Sequence, residues 1–267
     1  MTGCLPMTFK GKVVAVTGAA GGIGQALCRV FADEGAAIAA LDRSARVEAL
    51  AAELAAAGVE AASAVVDIGD AAAVAAGFAA VGAKLGPVDI LVNNAGFSDH
   101  LTLEGTSPEG WRDDVNGNLN GAFNCAHAVL PGMRAKGAGA IVNIGSVNGI
   151  SALGDPAYSA AKAGMISMTR SLALEYGRYG IRANIVLPGT VRTPLWEQRA
   201  AKDPGVLARL ARWYPLGRIV EPVEVARAAL FLASDAAAAI TGAALPVDCG
   251  LSAGNLVMAR ELTLDAF

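Results

Sequence analysis

The feature that most constrains the fold is a short apolar run that breaks directly into a glycine-rich turn and then a helical pattern. Val13 to Thr17 reads as a buried strand. Thr17-Gly18-Ala19-Ala20-Gly21-Gly22-Ile23-Gly24 follows, and from Ile23 to Glu34 apolar residues recur at helical spacing. Glycines at such a turn let the backbone bend sharply and approach a pyrophosphate, with the free amides and partial positive charge of a helix N-terminus behind it. A tight turn needing positive backbone angles would use the same residues. The position between the first strand and the first helix favours the binding reading.

The alternation continues along the chain. Further strands are expected at Ala36 to Leu41, Ala61 to Val66, Asp89 to Asn93, Ala140 to Ile144, Ile181 to Leu187 and Ala243 to Val247. Helices are expected at Arg46 to Ala57, Ala71 to Leu85, Glu109 to Lys136, Ala157 to Tyr176 and Pro222 to Ser234. Several strands are unbroken apolar runs, as in strands covered on both faces. Every crossover holds a helix, so the pattern predicts a doubly wound α/β (Rossmann) fold with a seven-stranded parallel sheet, one domain spanning residues 1–267. With 54% hydrophobic and 17% charged residues, the chain has ample apolar surface for that core. Thr190 to Val220 is longer than a plain crossover and holds Trp196, Trp213 and Tyr214, so it reads as a loop covering a ligand. The tail, residues 251–267, carries Leu256, Val257, Met258, Leu262, Leu264 and Phe267. It is expected to pack over a pocket or a neighbouring subunit.

Other classes are disfavoured. A net charge of −3 without a basic block argues against a nucleic-acid partner. The most apolar stretch, Ala71 to Ala83, falls short of the roughly 20 residues of a membrane span, and Met1 to Lys10 has no secretory pattern. Cys4, Cys28, Cys125 and Cys249 lack paired spacing, which points to reduced thiols in a cytoplasmic protein. His100 and His127 are too few for a typical metal site, and no metal is expected; His100 reads as a solvated loop residue or a substrate contact.

Beyond the glycine turn, Asp42 ends the second strand, 18 residues after Gly24. A carboxylate there can accept from both hydroxyls of an adenine ribose, or cap the next helix. Asp67 ends the third strand, where it and Ile68 would meet an adenine, although Asp67 and Asp70 also suit a helix start. Tyr158 and Lys162 lie four apart at a helix start, so phenol and ammonium can flank one ligand. A nearby lysine typically lowers the pKa of an acid by about 1–3 units. Ser146 ends the fifth strand, on the edge where ligands bind.

These motifs resemble the one-domain short-chain dehydrogenase/reductase family from about Lys10 to Gly250. In order they are Thr17 to Gly24, Asn93-Asn94-Ala95-Gly96, Asn118-Leu119-Asn120-Gly121, Ile144-Gly145-Ser146, Tyr158 with Lys162, and Pro188-Gly189 followed by Thr193-Pro194. The resemblance implies Tyr158 as general acid/base and Ser146 as the group orienting the substrate oxygen. Lys162 would bond the nicotinamide ribose and lower the tyrosine pKa. Asn118 would interrupt its helix to hold a relay water, and Asn94, with Ala95 and Gly96, would tie the fourth strand to the cofactor. Gly18, Gly22, Ile23, Gly24, Asp42, Arg43, Asp67 and Ile68 would line the dinucleotide. Pro188, Gly189, Val191 and Thr193 would hold the nicotinamide end. Two departures stand out: Asn116 precedes Asn118 by two, and Asp248-Cys249-Gly250 replaces the more usual Asp-Gly-Gly.

The expected activity is hydride transfer between NAD and a secondary alcohol or ketone of a small molecule, by a homotetramer, with a dimer as the alternative assembly. Ser146, Asn148, Tyr158, Trp196 and Trp213 are expected around the substrate, with Ser98, Ser151, Leu153 and Asp155 as further walls. Asp42 favours NAD over NADP by charge, against a possible phosphate contact from Arg43. Tyr179, where the family's acyl-carrier-protein reductases carry a basic residue, argues for a free small molecule, with Arg178 expected to point elsewhere. The rivals are an NAD(H) sensor or scaffold without turnover, and an NAD-using epimerase or dehydratase.

Overall fold

The computed structural model describes residues 8–264. Its seven strands are β1 (Val13–Thr17), β2 (Ala37–Asp42), β3 (Ala61–Val65), β4 (Ile90–Asn93), β5 (Gly139–Ile144), β6 (Ile181–Pro188) and β7 (Ala244–Val247). All pair in parallel, in the order β3-β2-β1-β4-β5-β6-β7. The order reverses at β1, whose two neighbours are β2 and β4. The crevice at the carboxyl ends of these strands is where a doubly wound sheet accepts a ligand.

Helices α1 (Gly22–Asp33), α2 (Arg46–Ala56) and α9 (Pro222–Ala233) pack on one face, against Val14 and Val16. On the other face α3 (Ala71–Leu85) and α5 (Gly121–Lys136) cover Ala15 and Leu91. The two-residue pleat thus sends alternate β1 side chains into separate cores, which is why the run Val13–Thr17 contains no solvent-facing residue. Leu27 and Phe31, fully buried on α1, each contribute about 1.5–3 kcal/mol of burial and fix the helix behind the glycine turn. Asp70 caps α3, its Oδ1 accepting from the amides of Ala72 and Ala73.

Two expectations need correction. The single helix expected from Glu109 to Lys136 is α4 (Pro108–Val115), a π-helical turn over Asn116–Asn120, and α5. The Asn118 amide donates to the carbonyls of Asp114 and Phe97, and this side-chain bonding competes with the regular ladder. The stretch 190–220 is more than a loop, for it holds α7 (Pro194–Lys202) and α8 (Val206–Ala211). Pro194 at the first turn, followed by good helix formers, accounts for α7. The catalytic helix candidate is α6 (Pro156–Tyr176), and α10 (Leu256–Thr263) lies in the tail. Cys4 and Phe267 lie outside the described residues.

Candidate active site

Thr17 ends β1, and its hydroxyl accepts from the amides of Asn94 and Ala95, just past β4. Asn94 returns the connection, donating to the carbonyls of Thr17 and Gly18 at 3.0 and 3.1 Å. The glycine turn is thereby tied to the neighbouring strand. Gly18 has φ +65°, and a Cβ on it would lie 2.8 Å from Ala95 Cα; a Cβ on Gly24 would lie 2.0 Å from the Gly18 carbonyl oxygen. Both positions demand glycine, the first also by its backbone angle.

In front of this turn lies a cavity of about 410 Å³. Its walls are Gly18, Gly22, Ile23 and Gly24 from the turn, Asp42 and Arg43 after β2, Asp67 and Ile68 after β3, Asn94 to Gly96 after β4, and Thr193. The fit to a dinucleotide is direct: a side-chain-free turn, the α1 N-terminus for a pyrophosphate, and a carboxylate at the far strand end. Asp42 is fixed by accepting from the amides of Ala20 (2.9 Å) and Ser44 (2.8 Å). Asp67 accepts from the Gly69 amide, and Asp70 performs the cap. Thr193 and Pro194 close over the turn, since a Cβ on Gly22 would lie 2.9 Å from Pro194 Cδ. Pro188 ends β6, and a Cβ on Gly189 would lie 3.2 Å from the Tyr214 ring, whose hydroxyl accepts from the Thr190 amide. Val191 bridges to Val220 and closes the base of the lid.

Beside Gly96, a wall of this cavity, the four side chains singled out for chemistry come together. Ser146 follows β5, and its hydroxyl accepts from the Asn148 amide. Tyr158 and Lys162 lie on the first turns of α6, with Lys162 Nζ 5.3 Å from the phenol ring centre. Lys162 is buried and donates to the Ile144 carbonyl at 3.0 Å. A Cβ on Gly96 would lie 2.5 Å from Asn118 Oδ1 and 3.2 Å from Lys162 Nζ, so both groups reach one spot beside a bare backbone. Asn118 Oδ1 is buried without a hydrogen bond, an acceptor aimed at that spot.

The electrostatics differ from the sequence expectation. Tyr158 keeps part of its ring accessible, yet burial pushes its phenol up to about 12, with the Asp155 carboxylate adding to the rise and the Ser146 hydroxyl opposing it. Burial also acts on Lys162, lowering its ammonium to about 8.

A family model described as enoyl-(acyl carrier protein) reductase matches residues 18–252. The solved structure of an oxidoreductase of the short chain dehydrogenase/reductase family from Burkholderia thailandensis superposes with a TM-score of 0.88 at 53% identity, over 96% of this chain and 98% of that one. The chain is a short-chain dehydrogenase/reductase. Its relatives include D-threitol dehydrogenase of Mycolicibacterium smegmatis, 43% identical over 91% of this chain and 93% of that protein. A gluconate 5-dehydrogenase from Burkholderia cenocepacia J2315, solved with NADP and tartrate, matches with a TM-score of 0.87 at 35% identity, over 93% of this chain and 98% of that one. The protein is therefore an oxidoreductase of a family that binds nicotinamide dinucleotides.

Other positions in this short-chain dehydrogenase depart from the sequence reading. Trp196 and Trp213 each stack with a neighbouring guanidinium, Arg199 and Arg212 respectively, at 4.7 Å, and like Ser146, Asn148 and Tyr158 they are not walls of the dinucleotide cavity. Arg178 does not point away from Tyr179, because it and Arg134 both stack on that ring. His100 is not a freely solvated loop residue. Its Nδ1 lies 3.5 Å from the fully buried Asp114 carboxylate, and its ring occupies the space a Cβ on Gly110 would need. Phe97 fits over Gly117 in the same way, while Arg43 stacks on its outer face at 5.0 Å. Arg46, which periodicity marked only as a helix residue, is a second cation on the cavity wall. Two glycines seven apart on one helical stretch, facing two rings three apart, are the signal that could have found this packing.

Proposed function

We propose that this protein transfers a hydride between NAD(H) and a secondary alcohol or ketone of a small molecule, with Tyr158 as general acid/base. The observation that carries the reading is the grouping of Ser146, Tyr158, Lys162 and Asn118 beside Gly96, a wall of the dinucleotide cavity. In this reading the bound nicotinamide ring supplies the hydride chemistry. Ser146 donates a hydrogen bond to the substrate oxygen and holds it beside the phenol. Tyr158 Oη takes the carbinol proton during oxidation and returns it during reduction. Lys162 supports the ribose, and Asn118 Oδ1 anchors the outward proton path. A phenol pushed up to about 12 is protonated across the neutral range, so reduction proceeds there and oxidation accelerates as pH rises.

The preference for NAD rests on Asp42, whose fixed carboxylate would face the extra phosphate of NADP. Assembly as a homotetramer is supported by apolar groups left open on α5 and α6, Phe123 at 55% and Leu174 at 85% exposure. In the tail, Leu262 is 71% exposed, so within one chain it covers no pocket and suits a neighbouring subunit. The unpaired thiols of Cys28, Cys125 and Cys249 suit a cytoplasmic setting. The test is a panel of secondary alcohols with NAD and NADP, followed at the reduced-nicotinamide absorbance band, with light scattering for assembly. Turnover of none of the panel with either cofactor would remove the dehydrogenase reading, and a monomer at micromolar concentration would remove the tetramer.

A further inference from the structure

Asp155 occupies the N-cap position of α6 without capping it. Its backbone is left-handed, with φ +50° and ψ +65°, an uncommon state for a residue with a side chain. An aspartate here would ordinarily stabilise the helix by accepting from its first free amides. Instead its Oδ1 accepts from the Ser98 hydroxyl at 2.7 Å, and its Oδ2 has no hydrogen bond among the described residues. Both the lost cap and the left-handed backbone are unfavourable locally, and such costs concentrate where a side chain serves a ligand.

The turn is held firmly in this conformation. The Asp155 amide donates to the Leu101 carbonyl at 3.1 Å. The preceding Gly154 carbonyl accepts from Ser159 Oγ at 2.7 Å and from Asn148 Nδ2 at 3.3 Å. Asn148 in turn accepts from the Ser146 hydroxyl. The turn that carries the carboxylate is therefore tied, through the Gly154 carbonyl and Asn148, to Ser146. It also stands three residues before Tyr158, one helical turn away on the same face. The two groups sense each other, because the Asp155 charge contributes to the raised phenol.

We propose that Asp155, assisted by Ser98, reads a neutral hydrogen-bond donor on the substrate carbon next to the reacting one. The preferred substrates are then vicinal diols and the matching hydroxyketones, in place of simple alcohols or substrates with a carboxylate at that carbon. A neighbouring hydroxyl can donate to the open Oδ2, a charge-assisted bond, whereas a neighbouring carboxylate meets like charge. This proposal rests on the dehydrogenase reading above and adds the substrate class.

Three matched probes test it: cyclohexanol, cyclohexane-1,2-diol and 2-hydroxycyclohexanecarboxylate, oxidised by the full-length protein with the better of NAD and NADP. The unmodified protein is expected to favour the diol over cyclohexanol by about tenfold or more in kcat/KM, the worth of one charged hydrogen bond, and to take the carboxylate least. Two variants suit the left-handed backbone, Asp155→Gly and Asp155→Asn. Asp155→Gly should bring the diol-to-cyclohexanol ratio close to one. Asp155→Asn should lift the penalty on the carboxylate and move the rise of oxidation with pH to lower pH, because the phenol loses a negative neighbour. Equal use of diol and cyclohexanol by the unmodified protein, or a diol preference that survives Asp155→Gly, would overturn the proposal. If none of the three is oxidised, the dehydrogenase reading fails for them, and the ratio is read from dissociation constants by quenching of NADH fluorescence. Equal affinities for diol and cyclohexanol there would overturn the role of Asp155.

Discussion

Replacing Asp42 by alanine should narrow the preference for NAD over NADP, and the size of the change follows from the groups around the groove. The carboxylate is half-buried and pinned by two amides, so it cannot swing aside to admit a second negative charge. Two unit charges about 4 Å apart repel by about 4 kcal/mol at an effective dielectric of about 20. Arg43 and Arg46 line the same end of the cavity and would attract a phosphate, but both are exposed and Arg43 is already stacked on Phe97. Exposed charges of this kind together return about 1–2 kcal/mol. The remaining 2–3 kcal/mol or so corresponds to NAD being favoured about 30- to 150-fold in kcat/KM. Asp42→Ala should lower kcat/KM with NAD, because the ribose loses its acceptor and the Ala20 amide its partner. It should raise kcat/KM with NADP, bringing the ratio within about fivefold of one. The assay is initial rates with both cofactors at saturating alcohol. Equal kcat/KM for the two cofactors in the unmodified protein, or an unchanged ratio in the variant, would refute the reasoning.

Two further substitutions probe stability. Lys162 is buried, with the Ile144 carbonyl and the Met165 thioether as its hydrogen-bond partners among the described residues, and its pKa is lowered from 10.5 to about 8. Below pH 8 it is protonated in both folded and unfolded chains and the folded state carries the whole penalty. Between pH 8 and 10.5 the unfolded chain binds more protons, so stability rises with pH. Lys162→Met should therefore be more stable than the parent at pH 7 by about 1–3 kcal/mol, with the gap in Tm closing toward pH 9.5; a gap independent of pH would contradict the burial argument. Above pH 10 the raised Tyr158 phenol acts the other way, since it stays neutral while the unfolded one ionises, and stability falls. Cys249, where glycine is more usual, has φ +51°. Cys249→Gly should gain about 0.5–1 kcal/mol in thermal unfolding by relieving that backbone, less any entropy gained by the unfolded chain; a loss of stability would show that the Cys249 side chain contributes packing worth more than the strain.

Much of the architecture was legible because buried parallel strands and amphipathic helices leave strong periodicities. Val13–Thr17 and Ala71–Leu85 have the bounds that their apolar patterns predict. The break at Asn118 was not legible as a π turn. The Asn118 amide there bonds the Asp114 carbonyl four residues back and the Phe97 carbonyl, and the second, long-range bond is one that no local pattern encodes. The lid helices were hidden because α7 and α8 have no fully buried face to impose a period. At the site, spacing brought Ser146, Tyr158 and Lys162 together, but it carried no information on burial, which raises the phenol and lowers the ammonium. Asp155 was visible only as a pocket wall. Its left-handed backbone and diverted side chain depend on Ser98 and Leu101, more than fifty residues away.

The central claim, that Tyr158 is the proton-transfer group of an alcohol dehydrogenase, is tested most directly by Tyr158→Phe. The variant removes one oxygen and leaves the glycine turn, Asp42 and Lys162 in place. NADH affinity, measured by fluorescence titration, should stay within about threefold of the parent, while turnover of an alcohol that the parent oxidises falls to less than about a hundredth. Turnover above about a tenth of the parent value, with NADH binding intact, would take Tyr158 out of the proton path and contradict the account.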